Sequence, residues 1–145
     1  MSKPLVYLVI LNYNGYSDTL ECLDSIKKVS YPNYKTVVVD NNSTDESYSM
    51  LLNACDDSYI LIRNEKNIGF AAGNNVGIEY ALKNNADYIL LLNNDTVVTE
   101  HFLDVLVEEA EKNMNIGVIG PRVINTEGNN DWTCARTKVD FMERI

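Results

Sequence analysis

Short strings of asparagine and aspartate recur along this sequence, and each follows a short apolar run. The four strings are Asn12-Tyr13-Asn14-Gly15, Asp40-Asn41-Asn42-Ser43, Arg63-Asn64-Glu65-Lys66-Asn67 and Asn93-Asn94-Asp95. Carboxylate and amide oxygens accept hydrogen bonds and are ligands for hard divalent cations. Taken alone, each string is most simply explained as a turn or a helix cap, where Asn and Asp are common. Four of them at equivalent points of the chain favour a ligand site.

The apolar runs before these strings have the length and composition of buried strands. The predicted strands cover residues 5–11, 34–39, 59–62 and 88–92, with a fifth over 116–124 that is interrupted at Gly120-Pro121. Amphipathic stretches alternate with them. The predicted helices are one capped at Ser17 or Asp18 and ended by Tyr31-Pro32, one from Asn42 to about Cys55, one over 71–84 and one that begins near Phe102. This alternation predicts an α/β fold, a mostly parallel sheet with helices on both faces.

Ligands of open parallel sheets bind beyond the carboxyl ends of the strands, which is where the polar strings fall. Asp95 would be delivered to that edge by a rigid strand and could hold a divalent cation. One carboxylate with two amides is a weak metal site, so the oxygens of a diphosphate would have to complete it. Asp40 could accept a hydrogen bond from a nucleobase N–H, and Tyr13 offers a face for stacking.

Composition and missing motifs narrow the class of protein. The 145 residues suit one domain, and 21 acidic against 12 basic residues give a net charge of -9, without a basic stripe for nucleic acid. Neither the dinucleotide fingerprint G-x-G-x-x-G nor the phosphate loop G-x-x-x-x-G-K-[ST] is present. His101 is the only histidine, which argues against a histidine-dependent hydrolase triad.

The cysteines and the hydropathy bear on location. Cys22, Cys55 and Cys134 show no metal-ligand or redox spacing, so we expect free thiols in a reducing compartment. No apolar run approaches the roughly 20 residues that span a bilayer. The expected location is the cytoplasm, at the inner face of the membrane.

Four motifs in order carry a family resemblance. They are Ile10-Leu11-Asn12-Tyr13-Asn14-Gly15, Val37-Val38-Val39-Asp40-Asn41-Asn42-Ser43-Thr44-Asp45, Asn67-Ile68-Gly69-Phe70-Ala71-Ala72-Gly73-Asn74-Asn75-Val76-Gly77 and Leu91-Leu92-Asn93-Asn94-Asp95. Over about residues 4–124 the chain resembles family 2 glycosyltransferases of the inverting GT-A class, and among them rhamnosyltransferase-like members that build surface polysaccharides. The resemblance implies the GT-A fold, which is a Rossmann-like nucleotide-diphospho-sugar transferase fold.

The resemblance also implies a uridine- or deoxythymidine-diphosphate sugar donor and the residues that hold it. Asn12 and Tyr13 would lie near the base and ribose, Asp40 at the base edge, and 69–74 near the diphosphate and sugar. The implied donor-binding set is Asn12, Tyr13, Asn14, Asp40, Asn42, Asn67, Gly69, Gly73, Asn74, Asn93 and Asn94. Asp95 corresponds to the last acidic residue of the family's D-x-D motif and would bind Mg²⁺ or Mn²⁺ together with the donor diphosphate.

Two departures from the family pattern matter for catalysis. Asn93 stands where an aspartate is common, which weakens the expected metal affinity. The family's general base comes from a later segment, often within a Glu-Asp pair, and this chain has no Glu-Asp dipeptide. Glu127 and Asp131 are the carboxylates of the loop after the fifth predicted strand, and neither is assigned as the base.

We therefore predict a truncated GT-A domain with residues 1–124 binding the nucleotide sugar and 125–145 beginning the acceptor side. The expected enzyme is a hexosyltransferase acting on a saccharide or lipid-linked saccharide, with this chain inactive in transfer. We also expect no nucleic-acid partner, peripheral membrane association, and self-association through an unpaired strand edge. The alternatives are a non-catalytic sugar-nucleotide-binding or oligomerisation module and a nucleotidyltransferase.

Overall fold

The computed structural model describes residues 3–113 and 115–124. Its elements alternate along the chain as the sequence predicts. They are β1 (Val6–Asn12), α1 (Tyr16–Ile26), β2 (Tyr34–Asp40), α2 (Ser47–Asn53), β3 (Ile60–Arg63), α3 (Phe70–Lys83), β4 (Tyr88–Asn93) and α4 (Phe102–Lys112). The acceptor-side segment predicted over 125–145, which includes Glu127 and Asp131, lies outside the described residues.

The four strands form one parallel sheet in the order β3-β2-β1-β4. β1 is central and pairs with β2 from Val6 opposite Tyr34 to Asn12 opposite Asp40. Its other edge pairs with β4, so that Leu11 lies opposite Asn93. All four carboxyl ends consequently meet at one edge of the sheet, and the predicted α/β architecture is confirmed.

Helices cover both faces of the sheet, and alternate residues of β1 point to each. Val6, Leu8 and Ile10 pack with Leu23 of α1, and the same core includes Leu51 of α2, Leu103 and Val107 of α4. On the opposite face Tyr7 packs with Ala81 of α3, together with Val37 and Val39 of β2. Burial on both faces explains why the central strands read as continuous apolar runs.

Helix α3 lies unusually close to β1 because it presents glycines to the strand. A Cβ built on Gly77 would lie 2.3 Å from Val9 Cγ1, and one on Gly73 would lie 2.6 Å from Leu11 Cδ1. Neither distance is compatible with a side chain unless the strand residues shift. The close approach fixes where the first turn of α3 stands at the carboxyl edge of the sheet.

Two predicted helix starts were wrong, and hydrogen bonds in the loop after β2 explain the second. α1 begins at Tyr16 with Gly15 as its N-cap and no side-chain cap, so Ser17 and Asp18 lie inside the first turn. α2 begins at Ser47, because the residues after Asp40 are engaged elsewhere: Ser43 with the Asp40 carboxylate and Thr44 with Asn14. α1 also ends at Ile26, before the predicted stop.

The predicted fifth strand was also wrong within the described residues. Within residues 116–124 the one residue with β pairing is Ile124, in a single bridge, and Val118 is 94% exposed. Pro121 has no N–H to donate to a ladder, and the preceding glycine weakens strand formation. An apolar cavity of about 170 Å³ lies between this segment, α4 and β4, away from the carboxyl edge.

β4 is one of the two outer strands of the described sheet, and its Leu91 is 49% exposed. Apolar side chains on an outer strand are compatible with the predicted self-association, which stays a prediction. In the described part of the chain, no helix has both the length and the apolar character to cross a membrane.

Candidate functional site

The ends of three neighbouring strands place polar side chains in one row. Asn12 of β1 is the Cα partner of Asp40 of β2, and Asp40 is the Cα partner of Arg63 of β3. On the other side of β1, Asn93 of β4 pairs with Leu11. The strand register therefore brings Asn12, Asp40 and Asn93 to one edge, as the sequence predicts.

Asp40 is buried at the centre of this row with 0% of its surface exposed. Its Oδ1 accepts hydrogen bonds from Asn12 Nδ2 at 2.9 Å and from Ser43 Oγ at 2.5 Å. Its Oδ2 accepts one from the Ser43 backbone N–H at 3.1 Å, and Arg63 Nε lies 3.6 Å from the same oxygen. A buried carboxylate held by three hydrogen bonds and a cation is a fixed negative centre.

The amide of Asn12 can take only one orientation beside that carboxylate. Asp40 is an acceptor only, so Asn12 Nδ2 must face it, and Asn12 Oδ1 must face the opposite way. There it accepts a hydrogen bond of 2.9 Å from Thr19 Oγ1. Asn94 Nδ2 in turn donates to Thr19 Oγ1 at 3.2 Å and to Gly15 O at 3.3 Å. A continuous chain of hydrogen bonds thus joins the ends of β4, β1 and β2.

Asn14 ties the loop after β1 to the loop after β2. Its backbone N–H donates to Ser43 Oγ at 3.0 Å, and its side-chain Oδ1 accepts from the Thr44 backbone N–H at 2.8 Å. Its Nδ2 also donates to Thr44 Oγ1 at 3.1 Å. Asn14 has a positive φ of 54° and Asn42 of 60°, a conformation that asparagine tolerates better than most residues. The two predicted donor-binding loops are locked together.

A second network centres on Asn41, which is buried. Its Nδ2 donates to Asn67 Oδ1 at 3.0 Å and to Gly69 O at 3.3 Å. Its Oδ1 accepts from Asn64 Nδ2 at 3.0 Å and from the Ile68 backbone N–H at 3.2 Å. Asn41 therefore positions the whole connection between β3 and α3, including the predicted site residues Asn67 and Gly69.

Three predicted donor-binding residues, Gly69, Gly73 and Asn74, lie at the N-terminal end of α3. Gly69 is its N-cap with φ 84°, a backbone conformation for which glycine carries no steric penalty. Phe70, the first helical residue, is exposed. Gly73 and Asn74 lie inside the helix: Gly73 abuts Leu11, and Asn74 Nδ2 donates to Phe70 O at 3.0 Å. The structure gives both of these residues a packing role, and their contact with a donor stays a prediction.

The remaining predicted residues are accessible. Tyr13, Asn93 and Asp95 are exposed, and Asn42 and Asn94 are half-buried. Asn93 ends β4 and is followed by a turn in which the Thr96 backbone N–H donates to Asn93 O at 3.2 Å. No side-chain hydrogen bond holds Asn93 or Asp95 to another described residue, so their oxygens face outward without an internal partner.

The donor set fits a divalent cation only in combination with a ligand. Asp95 supplies one carboxylate and Asn93 one amide oxygen, both suited to a hard cation. Residues 3–113 and 115–124 hold no cluster of three or more His, Cys, Asp or Glu that could form a site unaided. A cation here would need further oxygens, and a bound diphosphate has them.

Cys22 lies beneath the turn that carries Asp95. The thiol is buried in α1, and its sulfur is 3.9 Å from Asn93 O. The pKa of Cys22 is raised to about 12, chiefly by burial and then by the charge of Asp95, while a hydrogen bond with the Thr96 backbone opposes the rise. The thiol is therefore protonated at neutral pH and unsuited to nucleophilic chemistry.

Sequence reasoning missed four residues that organise the site. Thr19 links β1 to β4, Ser43 bonds Asp40, Asn41 holds the loop before α3, and Arg63 pairs with Asp40. Asn41, Ser43 and Arg63 fall within the polar strings at the strand ends, so their type and position are a usable signal. Thr19 gives no signal, because an internal helical threonine looks like any other.

The family model for glycosyl transferase family 2 matches residues 7–144. Among curated proteins, glycosyltransferase GlyG of Streptococcus pneumoniae is 28% identical over 96% of this chain and 46% of its own length. The Escherichia coli UDP-Glc:alpha-D-GlcNAc-diphosphoundecaprenol beta-1,3-glucosyltransferase WfgD is 26% identical over 78% of this chain and 44% of its own. The chain thus spans less than half the length of either relative.

Solved structures share the fold. The mannosyltransferase PcManGT of Pyrobaculum calidifontis, determined with GDP-Man and Mn²⁺, superposes with a TM-score of 0.65 at 24% identity. The match covers 83% of this chain and 35% of that protein. The predicted GT-A fold is confirmed by this likeness together with the four-stranded parallel sheet. With the family model extending over most of its length, the chain belongs to glycosyl transferase family 2.

Proposed function

We propose that this chain binds the nucleoside diphosphate part of a sugar donor for inverting transfer of a hexose. The observation that supports this proposal is that the chain belongs to this family and that its parallel sheet brings Asn12, Asp40 and Asn93 to one edge. Asp95 follows Asn93 by two residues. That edge is where ligands of such sheets bind. Family membership also removes the main support for the nucleotidyltransferase alternative.

The donor proposed is a uridine or deoxythymidine diphosphate sugar. WfgD supports a uridine donor, because its name states UDP-Glc, whereas PcManGT was determined with GDP-Man. The base and ribose would lie against the exposed ring of Tyr13. Asn12 and Asp40, which are fully buried, would shape this part of the site from beneath. Asn14 and Asn42 would shape the loops around the base and ribose, and the turn from Asn67 to Gly69 would border the diphosphate.

Mg²⁺ or Mn²⁺ is the cation proposed, held by Asp95 and Asn93 with oxygens of the donor diphosphate. When bound, such an ion would neutralise the negative charge that develops on the departing nucleoside diphosphate. Asn94 would act differently from its neighbours, since its amide is engaged with Gly15 and Thr19 and fixes the turn that presents Asp95. The described residues assign no general base.

The acceptor proposed is a saccharide or a lipid-linked saccharide, in the synthesis of surface polysaccharide. WfgD supports this, because its name states a diphosphoundecaprenol-linked sugar. A lipid-linked acceptor would place the enzyme at the inner face of the membrane, as a peripheral protein with its donor supplied from the cytoplasm.

Calorimetric titration of the chain with UDP, dTDP and GDP, each with and without Mn²⁺, tests the proposal. We expect UDP or dTDP to bind more tightly than GDP, and Mn²⁺ to strengthen the binding. Tyr13→Ala should weaken nucleotide binding, while Leu82→Ala, an exposed apolar residue of α3, serves as the matched control. Failure of every nucleotide to bind at millimolar concentration would refute the proposal.

A further inference from the structure

One face of α1 contacts the connection between β4 and α4, which covers residues 94–101 and carries Asp95. Three buried residues of the helix are spaced three apart and therefore lie on that face, and they are Thr19, Cys22 and Ser25. Thr19 Oγ1 accepts a hydrogen bond of 3.2 Å from Asn94 Nδ2, and Cys22 Sγ lies 3.9 Å from Asn93 O. These two contacts hold the connection before Asp95.

Ser25 holds the same connection after Asp95. Its hydroxyl donates to Cys22 O at 2.7 Å, which is the carbonyl three residues earlier in the helix. That bond uses the single proton of the hydroxyl and leaves its lone pairs free to accept. The Val98 backbone N–H donates to Ser25 Oγ at 3.1 Å. Ser25 is buried, which limits competition from water for this bond.

The two hydrogen-bonded anchors, Asn94 on Thr19 and Val98 on Ser25, leave the segment between them little slack. Six residues of α-helix rise about 9 Å, which is the separation of Thr19 and Ser25 along the helix axis. Four residues of fully extended chain reach at most about 13–14 Å, and the path from Asn94 to Val98 has this length. The three residues between the anchors, of which Asp95 is the first, therefore have few paths available. Without the bond to Ser25, only the anchor at Asn94 would restrict them.

We propose that Ser25 is a positioning residue for Asp95, acting through the backbone N–H of Val98, and that it adapts the cation site to small octahedral ions. Mg²⁺ requires nearly ideal octahedral geometry, whereas Ca²⁺ accepts a variable number of oxygens in flexible arrangements. Loosening the segment that carries Asp95 should therefore penalise Mg²⁺ more than Ca²⁺. This inference rests on the proposed function, because it presupposes a cation bound by Asp95 together with a donor diphosphate.

The experiment measures UDP binding by calorimetry without metal, with Mg²⁺ and with Ca²⁺. Ser25→Ala removes the acceptor for Val98, and Ser25→Thr keeps it. Tyr34→Phe is the matched control, because it removes another hydroxyl bonded to α1, which donates to Ile26 O at 3.0 Å at the opposite end of the sheet. Amide hydrogen exchange of Val98 in the metal-free chain reports on the bond itself, and thermal unfolding reports on the fold.

We expect Mg²⁺ to strengthen UDP binding to the wild-type chain more than Ca²⁺ does. Ser25→Ala should weaken binding with Mg²⁺ by about tenfold and with Ca²⁺ by less than about threefold, and should leave metal-free binding unchanged. The Val98 amide should exchange faster in this variant. Ser25→Thr should restore both properties, and Tyr34→Phe should leave the difference between the cations in place.

Four outcomes would overturn the inference. Equal losses with Mg²⁺, with Ca²⁺ and without metal would make Ser25 a purely structural residue. Unchanged Mg²⁺-dependent binding in a folded Ser25→Ala variant would remove Ser25 from any role towards Asp95. Unchanged exchange of the Val98 amide would show that the proposed coupling has no hydrogen bond to act through. The same loss of cation preference in Tyr34→Phe would assign it to destabilisation of α1.

These outcomes are distinct from failure of the proposed function. UDP binding that no cation strengthens in the wild-type chain would refute the cation role of Asp95 and this inference with it. Failure of the wild-type chain to bind UDP, dTDP or GDP under any of these conditions would refute the proposed function as a whole.

Discussion

The side-chain amide of Asn12 donates a hydrogen bond of 2.9 Å to the carboxylate of Asp40, and neither side chain has exposed surface. The two residues are Cα partners at the ends of β1 and β2. Their contact fixes the relative position of the loops that begin immediately afterwards. The shape of the candidate site therefore depends on a pair of residues buried beneath it.

Asp40→Ala should lower the free energy of unfolding and weaken UDP binding. The backbone N–H and the hydroxyl of Ser43 would each lose a buried acceptor, at a cost of about 1–3 kcal/mol per donor, and Asn12 Nδ2 would keep only its bond to Ser43 Oγ. Urea unfolding measures the first effect, and calorimetry at a temperature where the variant is folded measures the second. Asp18→Ala, at an exposed position of α1, is the control. Unchanged affinity in a folded variant would remove Asp40 from the donor site.

The strands were predictable to within about one residue from local composition alone. Residues 5–11 and 34–39 are runs of β-branched and aliphatic side chains, and burial on both faces gives such runs. Polar residues directly after those runs then mark the ligand edge, which is why Asn12, Asp40 and Asn93 were found at it.

The parts that were missed depend on contacts between distant segments. At the N-cap of α1, Gly15 O accepts a hydrogen bond from Asn94 Nδ2, 79 residues away, as well as one from the Thr19 backbone N–H. The burial of Asp40 and its pairing with Arg63 depend on strand register, which single-residue patterns do not specify. The prediction of a strand over 116–124 rests on apolar composition, although Gly120-Pro121 opposes a continuous ladder.

Gly77→Ala should destabilise the fold, because the new Cβ would lie 2.3 Å from Cγ1 of the buried, β-branched Val9. We expect a loss of about 1–3 kcal/mol from overpacking, reduced by the better helix propensity of alanine. Gly117→Ala is the matched control, since nothing lies within 4 Å of its built Cβ. Urea unfolding of the two variants decides; equal stability would show that α3 can move away from β1.

The buried thiol of Cys22 should make the fold sensitive to alkaline pH. Its pKa is raised from 9.0 to about 12, chiefly by burial, so above pH 9 the unfolded chain loses this proton while the folded chain retains it. Stability from this group is complete below pH 9 and is lost as pH rises towards 12. The loss at pH 10.5 is about 2 kcal/mol.

Tyr59 also has a pKa that burial raises to about 12, so it contributes to the same loss of stability. A comparison of wild type with Cys22→Ala separates the contribution of the thiol from that of Tyr59. The variant loses packing at every pH, but its stability should fall less between pH 8 and pH 10.5 than that of wild type. Urea unfolding at both pH values measures the difference. Parallel pH profiles would show that the thiol ionises in the folded state as easily as in the unfolded one.

Mn²⁺ should bind this chain appreciably only when a nucleoside diphosphate is present. Asp95 and Asn93 supply three side-chain oxygens at most, too few for a hard cation without phosphate oxygens. Titration with Mn²⁺ alone and with UDP measures the dependence, and Asp95→Asn should abolish the enhancement. Asp18→Asn serves as the control. Tight Mn²⁺ binding to the free protein would reveal ligands other than Asp95.

The last prediction is that this 145-residue chain binds donor without transferring sugar at a useful rate. The motivating asymmetry is that the residues assigned to the donor lie at or before Asp95, and the described residues offer no general base. General-base catalysis contributes about 100- to 10,000-fold. Positioning of the acceptor contributes roughly 7 to 11 kcal/mol more. If residues 125–145 supply neither of these, transfer falls below ordinary detection, while slow hydrolysis of the donor by water persists.

Release of nucleoside diphosphate from UDP- and dTDP-sugars, with and without a panel of saccharide acceptors, measures this directly. We expect a slow release that no acceptor accelerates, and Asp95→Asn should reduce it further because the leaving group would lose its cation. Turnover that rises with acceptor to a rate of about 1 per second or more, ordinary for an enzyme, would contradict the prediction. The base would then have to be sought by substitution among Glu127, Asp131, Asp140 and Glu143, since those carboxylates follow the donor-binding part of the sequence.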